Sequence, residues 1–487
     1  MAAQGELDLA TTLSSLPPVN LASLQLREKI RSDIRHPSAK TPLLVILDDD
    51  PTGTQTCHDI TILTVWDKDT LLSAFKTTEA GSGFFILTNS RAFHPKQAKA
   101  LMIEICTNLK AASQETGVQC EIVLRGDSIL RGHFPLEPDA VEEVNGPADA
   151  WILCPFFLQG GRYTIDDIHY VGENNRLIPA AQTPFAKDAT FGYKNSNLRD
   201  YVVEKSNGKI PRQDTASIDL DTIRTKGEDG VLELILQRLK ESSSRVVFVI
   251  NAVADEDIDV VVAALLQASQ LGKRFLFRTG AAFVSSRLAI SQIAPLSAQQ
   301  LGLASNRGGL IIAGSYVPKT TAQLTALVEK SGSKLTPITL NVKTLLASPE
   351  EGQADIQRAI QRASEEIKRG QDVLVMTSRE LIVGQDAVES LDIGSTVAKA
   401  LVSFLQQLEE KPRYIIAKGG ITSSDMATKG LRMKSALILG QAAPGVPLWR
   451  CDEATSKWPG LPYVVFPGNV GSDDTLFEVV EKWRDGN

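Results

Sequence analysis

The chain has 487 residues, of which 43% are hydrophobic and 22% are charged, and its formal net charge is -7. This length exceeds what one hydrophobic core usually supports, so two domains are expected. The negative charge argues against a nucleic-acid partner, and five separated cysteines without a CxxC pair exclude a typical disulfide framework and favour a cytoplasmic protein.

The first 41 residues form a segment of their own, which we predict to be an N-terminal arm. They contain acidic residues and lack the long apolar run of a secretory signal or a membrane span. We therefore expect a short helical or flexible arm and no membrane partner.

After Pro42, short apolar runs alternate with stretches of helical spacing. The region from Gly160 to about Asp214 is polar and predicts long loops or an insertion over a site. A polar stretch near residues 297–309 predicts a join, after which the alternation resumes. We predict an α/β fold of two domains, 42–296 and 297–487, each a mainly parallel sheet flanked by helices, with the active site in the cleft between them.

Charged clusters follow three strand-like runs of the first domain. The run LLVIL precedes three aspartates, FFILT precedes TNSR, and EIVLR precedes GDSILRGH. Ligands of parallel sheets bind beyond the carboxyl ends of the strands, and carboxylates interleaved with guanidinium groups suit a small polyhydroxylated acid. The candidate residues are Asp48, Asp49, Asp50, Arg91, Arg125, Gly126, Asp127, Ser128 and Arg131.

Two histidines near these clusters have alternative interpretations. His133 could donate to a substrate oxygen or make a structural hydrogen bond. His169 lies with Arg162, Asp166 and Asp167 in a segment where a metal is conceivable, although a hydrogen-bond network that orders the loop is favoured.

Three glycine-containing turns in the second domain lead from a strand into a helix. They contain Gly314 and Ser315, then Gly419 and Gly420, and finally the sequence PGNVG around Gly468. Thr422, Ser423 and Ser424 are candidate N-caps of the second helix. Each turn alone is ordinary, but three at one sheet edge predict a nucleotide site. Neither GxxxxGK[ST] nor a GxGxxG after a strand is present.

Seven motifs in order resemble the four-carbon acid sugar kinase family, once catalogued as a domain of unknown function. They are DDDPTGTQT, TNSRAF, RGDSILRGHFPLE, PFFLQGGRYT, AGSYVPKTT, KGGITSSD and FPGNVGSDD. The resemblance implies a sugar-acid-binding N-terminal domain and a nucleotide-binding C-terminal domain. It also implies ATP-dependent phosphorylation of the terminal hydroxyl of threonate, erythronate or an oxo-tetronate, with Mg²⁺ carried on the nucleotide phosphates.

The resemblance also assigns residues. The substrate contacts that it implies are Asp49, Asp50, Thr52, Gly53, Arg91, Arg125, Asp127 and Ser128, and the nucleotide contacts are Ser315, Gly419, Gly420, Ile421, Thr422 and Gly468. We add Gly126 and Arg131 to the predicted substrate contacts and Asn469 to the predicted nucleotide contacts. Ile129 stands where the family commonly has Thr, and Gln159 stands where Glu is frequent.

Several alternatives stay open from the sequence. Asp49, Asp50 or Asp127 could be the carboxylate that orients the attacking hydroxyl, and no metal ligand is specified. A non-catalytic sugar-acid sensor would need the charged clusters but not the glycine loops. An ATP-independent lyase or isomerase would need a committed metal or a Schiff-base lysine. The oligomeric state is open, a homo-oligomer included.

Overall fold

The computed structural model describes residues 5–19, 21–36, 41–303, 306–379 and 387–484. The chain divides into two compact units, Met1–Gln292 and Ile293–Asn487. In this described part, no helix has the length and apolar character needed to cross a bilayer.

The first unit is built from twelve strands and nine α-helices in the residues described. Its strands are β1 (Leu7–Asp8), β2 (Leu43–Asp48), β3 (Ile60–Leu63), β4 (Gly83–Leu87), β5 (Cys120–Arg125), β6 (Ala150–Cys154), β7 (Arg162–Ile165), β8 (Ile168–Glu173), β9 (Arg176–Pro179), β10 (Thr215–Ile218), β11 (Val246–Ile250) and β12 (Phe275–Thr279). Its helices are α1 (Leu9–Ser15), α2 (Leu26–Arg35), α3 (Lys68–Thr77), α4 (Pro95–Thr116), α5 (Leu136–Asn145), α6 (Leu198–Lys205), α7 (Gly227–Glu241), α8 (Asp255–Gln270) and α9 (Ala281–Arg287).

The main sheet of this unit is parallel, with the strand order β10-β11-β6-β12-β5-β2-β4-β3. Every residue of β2 is buried, as are all residues of β4, β6, β11 and β12. Helices cover such sheets on both faces, so their strands are apolar throughout, which explains the continuous apolar runs in the sequence. The predicted α/β class is confirmed.

The polar region after Gly160 contains more regular structure than the predicted long loops. Strands β7, β8 and β9 form an antiparallel meander, and β1 pairs with β9. Tight turns join the meander, and the turn residues Asp166, Asp167, Asn174 and Asn175 have positive φ angles, which Asn and Asp tolerate. The polar composition therefore reflects turn chemistry and not an absence of strands.

The N-terminal helix α2 packs on the first unit through its arginines. Arg27 donates to both carboxylate oxygens of Asp259, with the shortest distance 2.8 Å, and Arg31 donates to the carbonyl of Ala289. Ile30 and Ile34 are buried on the same helix. Part of the predicted arm is therefore a docked helix.

The second unit contains seven strands and six α-helices in the residues described. Its strands are β13 (Leu310–Ala313), β14 (Leu335–Leu340), β15 (Asp372–Thr377), β16 (Ile415–Lys418), β17 (Ser435–Ala443), β18 (Val446–Cys451) and β19 (Leu461–Phe466). Its helices are α10 (Pro318–Ser331), α11 (Val342–Ala347), α12 (Pro349–Lys368), α13 (Ala387–Gln407), α14 (Gly420–Asp425) and α15 (Thr475–Arg484).

The sheet of the second unit has the strand order β17-β18-β19-β16-β13-β15-β14. The pairs from β19 to β14 are parallel, whereas β17, β18 and β19 pair in antiparallel fashion. The β17-β18 hairpin was not predicted from the sequence, and buried and less buried residues alternate along β17. The sheet is thus mainly parallel, as predicted, and the strands before the three glycine turns are adjacent.

Candidate functional site

The three charged clusters of the first unit follow neighbouring strands. Strand β2 lies between β4 and β5, with Asp48 paired in register with Leu87 and with Arg125. Because all three strands are parallel, the segments that follow them emerge at one edge of the sheet. The structure therefore brings together the candidate residues that the sequence placed after LLVIL, FFILT and EIVLR.

Asp49 contacts arginines from two different segments at this edge of the sheet. It is buried, and its Oδ1 accepts a hydrogen bond of 2.7 Å from Nη2 of Arg91. Its Oδ2 lies 3.6 Å from Nη2 of Arg278. Asp49 thus lies between two guanidinium groups, which compensate for the burial of its charge.

Asp50 is more accessible than Asp49. Its Oδ1 accepts from the backbone N–H of Thr52 at 2.9 Å and from the hydroxyl of the same residue. Burial raises the pKa of Asp50, but the Arg91 guanidinium, 3.7 Å away, and the two Thr52 bonds outweigh it, so the pKa is lowered. Asp50 is therefore ionised at neutral pH and partly open to a ligand.

The loop that carries Arg91 is held by a buried hydrogen bond between Ser90 and Glu137. The hydroxyl of Ser90 donates to Oε1 of Glu137 at 2.5 Å, and both residues are buried. Burial raises the pKa of Glu137 to about 7, since Arg278 only partly offsets it. Glu137 closes the HFPLE segment of the third motif, and the sequence analysis did not single it out.

Asp127 and Arg131 form the next charged pair. Nε of Arg131 donates to Oδ2 of Asp127 at 2.7 Å, and their side chains are 25% and 10% exposed. Burial raises the pKa of Asp127, but Arg91, Arg131 and Arg162 together hold it well below its usual range. This carboxylate is therefore ionised and surrounded by positive charge. Ser128, the next residue, is buried.

Arg125 lies deeper than the other candidates. Its side chain is 4% exposed, and Nη1 lies 3.5 Å from Oδ1 of the fully buried Asp48. Burial raises the pKa of Asp48 to about 8 despite the Arg125 charge. A Cβ at Gly53 would fall 1.9 Å from Oδ2 of Asp48, so this glycine is needed for the close approach.

Arg278 is a residue of this edge that the sequence analysis missed. It lies near the end of β12, which pairs with β5. Its Nη2 donates to the carbonyl of Arg131 at 3.1 Å, and a Cβ at Gly126 would fall 1.2 Å from its Nη1. The available signal in the sequence was an arginine directly after the apolar run RFLF.

Both histidines near the site make structural hydrogen bonds. Nε2 of His133 lies 3.1 Å and 3.0 Å from the carbonyls of Ser90 and Phe93, and burial lowers its pKa. Nε2 of His169 lies 2.7 Å from the carbonyl of Ser128. Among the described residues, no group of three or more His, Cys, Asp and Glu side chains could hold a metal ion. His169 also accepts from the hydroxyl of Thr164 at 3.0 Å, so its ring takes part in a buried hydrogen-bond network.

The three glycine turns of the second unit converge. A Cβ at Gly419, where φ is +108°, would fall 2.9 Å from Cβ of Ser315, and a Cβ at Gly314 would fall 3.0 Å from Oγ1 of Thr422. Around Gly468 the nearest atoms to such a Cβ are 3.8 Å or more away, on Val317, Thr320 and Ser315. The first two turns are in contact, and the third leaves space beside Ser315.

The prediction of N-caps at Thr422, Ser423 and Ser424 was wrong. The N-cap of α14 is Gly419, and these three residues lie within the helix. The hydroxyl of Ser423 instead donates to the carbonyl of Ala417 at 2.7 Å. The helix therefore begins directly at the glycine pair, and no side chain caps its first N–H groups.

The remaining predicted nucleotide contacts lie around these turns. Gly420 opens α14, and Ile421 in its first turn is 70% exposed, which is unusual for a large apolar side chain beside a polar loop. Asn469 is also exposed. The buried Lys418 donates to the carbonyls of Pro467 and Gly468 at 2.5 Å and 3.5 Å. Lys418 thus links the second turn to the third.

Arg379 was also missed by the sequence analysis. It follows β15, and its Nη1 donates to the carbonyl of Ser315 at 2.6 Å while Nη2 donates to Oγ1 of Thr321. Its guanidinium lies 5.2 Å from the ring centroid of Tyr316. Burial lowers its pKa. Arg379 therefore brings a positive charge to the first glycine turn and fixes it to α10.

Two family models match these two units. A sugar-binding N-terminal domain matches residues 44–287, and a nucleotide-binding C-terminal domain matches residues 310–476. The sheet edge with Asp49, Asp127 and the arginines around them, which we call the charged edge, lies within the first range. The three glycine turns lie within the second.

Similar proteins agree with this match. A D-erythronate kinase of Heliobacterium modesticaldum is 28% identical over 176 residues, which span 36% of this chain and 36% of that protein. The fold is shared with a Haemophilus influenzae protein (TM-score 0.60, 17% identity, 90% of this chain and 99% of that one). It is also shared with a putative tRNA synthase from Salmonella typhimurium (TM-score 0.63, 16% identity, 89% and 97%). The chain belongs to the four-carbon acid sugar kinase family.

Proposed function

We propose that the protein transfers the γ-phosphoryl group of ATP to the terminal hydroxyl of a four-carbon sugar acid. The observation that carries this proposal is the alternation of carboxylates and guanidinium groups along one sheet edge of the unit that matches a sugar-binding domain. Aspartates accept hydrogen bonds from sugar hydroxyls, and arginines bind a carboxylate in two-point fashion.

Unsatisfied buried atoms support a ligand at this edge. In the described part of the chain, Oδ2 of Asp49, Nε of Arg91 and Nη1 of Arg278 are buried and make no hydrogen bond. Buried polar atoms normally have partners, so several unpaired atoms in one place favour a polar ligand. Burial raises the pKa of Asp48 to about 8, which reduces the negative charge at this edge at neutral pH and suits an acidic ligand.

The chemistry requires a proton acceptor and charge neutralisation. The substrate hydroxyl oxygen forms a bond to the γ-phosphorus, the bond from that phosphorus to the β-phosphate bridging oxygen breaks, and the hydroxyl proton passes to a carboxylate. We assign that role to Asp127, whose carboxylate is partly exposed. The arginines around it hold its pKa low, so it would orient the hydroxyl and take the proton only as the new bond to phosphorus makes that hydroxyl more acidic. Arg91 and Arg131 would bind the substrate carboxylate.

The second unit fits a nucleotide. Its glycine turns approach each other too closely for side chains at Gly314 and Gly419, and they leave space at Gly468. Backbone without side chains lets a phosphate group approach the N–H groups closely. Ser315, Gly420, Thr422 and Asn469 would complete the phosphate site, and Ile421 would contact the base. Mg²⁺ would be held mainly by the phosphates and would neutralise their charge.

The test is ADP release from ATP and Mg²⁺ with erythronate, threonate and oxo-tetronates. D-Erythronate is the first choice, because a curated relative is a D-erythronate kinase. Release of ADP and a phosphorylated acid in equal amounts is expected with at least one of them. Tight binding of an acid without ADP release would instead support the sugar-acid sensor, and the kinase proposal would be rejected.

A further inference from the structure

The loop that carries the Asp127–Arg131 pair is held by its backbone carbonyls. Each carbonyl from Ser128 to Arg131 accepts a hydrogen bond from a side chain distant in sequence. The donors are Nε2 of His169 to Ser128 (2.7 Å), the hydroxyl of Tyr193 to Ile129 (2.9 Å), the hydroxyl of Tyr201 to Leu130 (2.9 Å) and Nη2 of Arg278 to Arg131 (3.1 Å). We call this set of four bonds the carbonyl clamp.

Three of the four donors come from the polar region after Gly160. His169, Tyr193 and Tyr201 are all buried. Burial raises the pKa of both tyrosines and lowers that of His169 to about 4, so all three are neutral at pH 7. A neutral imidazole has one N–H, and the nearby carbonyl fixes it on Nε2, which leaves Nδ1 to accept from Thr164 at 3.0 Å. Each of these three side chains therefore has a single N–H or O–H, and it donates that hydrogen to one carbonyl of the loop.

The clamp maintains a backbone conformation that the loop would not otherwise favour. Leu130 has φ = +67°, in the left-handed region that leucine rarely occupies. Such conformations persist where surrounding contacts determine them, and they cluster at functional sites. The hydroxyl of Tyr201 bonds to the carbonyl of this same residue. The clamp therefore opposes relaxation of the turn between Asp127 and Arg131.

We propose that His169, Tyr193 and Tyr201 are positioning residues that hold Asp127 and Arg131 in the geometry required by the sugar acid. The inference rests on the proposed function, because it assigns these residues to the acceptor side of that reaction. They act through hydrogen bonds to the loop backbone, and we assign them no contact with the substrate hydroxyl or the γ-phosphoryl group. Preorganisation of this kind lowers the reorganisation needed when substrate binds.

The test uses the double variant Tyr193→Phe/Tyr201→Phe, which removes two hydroxyls and keeps both rings. The matched control is Tyr170→Phe, a buried tyrosine on β8 of the same region that has no bond to the loop among the described hydrogen bonds. Hydrogen exchange of peptides covering residues 127–132 is measured together with the kinetics of D-erythronate phosphorylation by MgATP.

In the double variant we expect faster exchange in this segment and a kcat/KM for D-erythronate about tenfold lower, from the loss of two hydrogen bonds. The KM for D-erythronate should rise while the KM for ATP stays unchanged. A general loss of stability would only lower the amount of active enzyme and would leave both KM values as in wild type. Exchange and kinetic constants equal to those of Tyr170→Phe would overturn the proposal. If wild-type protein phosphorylates no tetronate, the proposed function fails, while the exchange comparison still decides whether the clamp orders the loop.

Discussion

The guanidinium group of Arg278 lies directly against Gly126, where a Cβ would fall 1.2 Å from Nη1. The same guanidinium approaches Asp49 and donates to the carbonyl of Arg131. One arginine at the end of β12 therefore joins two acidic clusters, that of Asp48 to Asp50 and that of Asp127 with its partner Arg131, and it does so only because residue 126 has no side chain.

Gly126→Ala should displace Arg278 and disrupt both clusters. Overpacking of this kind typically costs about 1–3 kcal/mol, and we expect a loss in free energy of unfolding of this size together with weaker sugar-acid binding. Urea unfolding and titration calorimetry with D-erythronate measure the two effects. Gly352→Ala is the control, since its Cβ would meet no atom closer than 3.5 Å. Equal behaviour of the two variants would refute the steric argument.

Asp127→Asn should lower kcat by at least about 100-fold, because general-base catalysis contributes roughly 10²–10⁴ to the rate. The amide keeps the shape of the side chain but cannot take the hydroxyl proton. Steady-state kinetics with saturating D-erythronate and MgATP provide the measurement. Asp166→Asn is a matched control at an exposed turn position, and it should behave as wild type. Unchanged turnover in Asp127→Asn would remove this residue from the catalytic assignment.

Arg379→Met should raise the KM for ATP about tenfold and leave the KM for the sugar acid unchanged. The substitution removes charged hydrogen bonds to the Ser315 carbonyl and to Thr321, which hold the first glycine turn. Initial rates over a range of ATP concentrations provide the test. Arg369→Met serves as the control, since that side chain is 67% exposed. An equal rise in both KM values would contradict the assignment.

Lys418→Met should alter the pH dependence of stability. Burial, with a smaller contribution from Lys319, lowers the pKa of Lys418 from 10.5 to about 7. Between these values the folded state binds fewer protons than the unfolded state, so this group makes stability rise with pH. The free energy of unfolding of wild type relative to Lys418→Met should therefore increase between pH 7 and pH 10.

Urea titrations at several pH values measure this difference. Lys429→Met provides the control, since the Lys429 side chain is 64% exposed. If the curves of wild type and Lys418→Met stay parallel from pH 7 to pH 10, the amine of Lys418 does not titrate as its burial implies.

The sequence predicted the parts of the fold that depend on local pattern. Apolar runs identified the buried strands, and the clusters after β2, β4 and β5 lie at one edge because parallel strands share their carboxyl ends. Arg278 and Arg379 escaped notice because a single arginine after a strand is usually a surface charge. Only the order of strands in the sheet shows which such residues lie beside a site.

Two other features depended on information that local pattern lacks. The N-cap prediction failed because the N-cap of α14 is Gly419, about one turn before Thr422. Serine and threonine are common at N-caps, so the sequence favoured the later hydroxyl residues. The meander of β7 to β9 was missed because its short strands are separated by polar turns. Its contribution to the site, through His169, comes from pairing between distant segments.

The carbonyl clamp also has a consequence for folding. Its four bonds join residues separated by 41, 64, 71 and 147 positions in the chain. Contacts of such separation form late, since the entropy of closing long loops opposes them. During synthesis, a chain that ends before Arg278 would contain every motif of the charged edge and still lack the strand that joins its two acidic clusters. Under the proposed function, the sugar-acid site would thus be completed at the end of the first unit's folding and not when its signature motifs emerge.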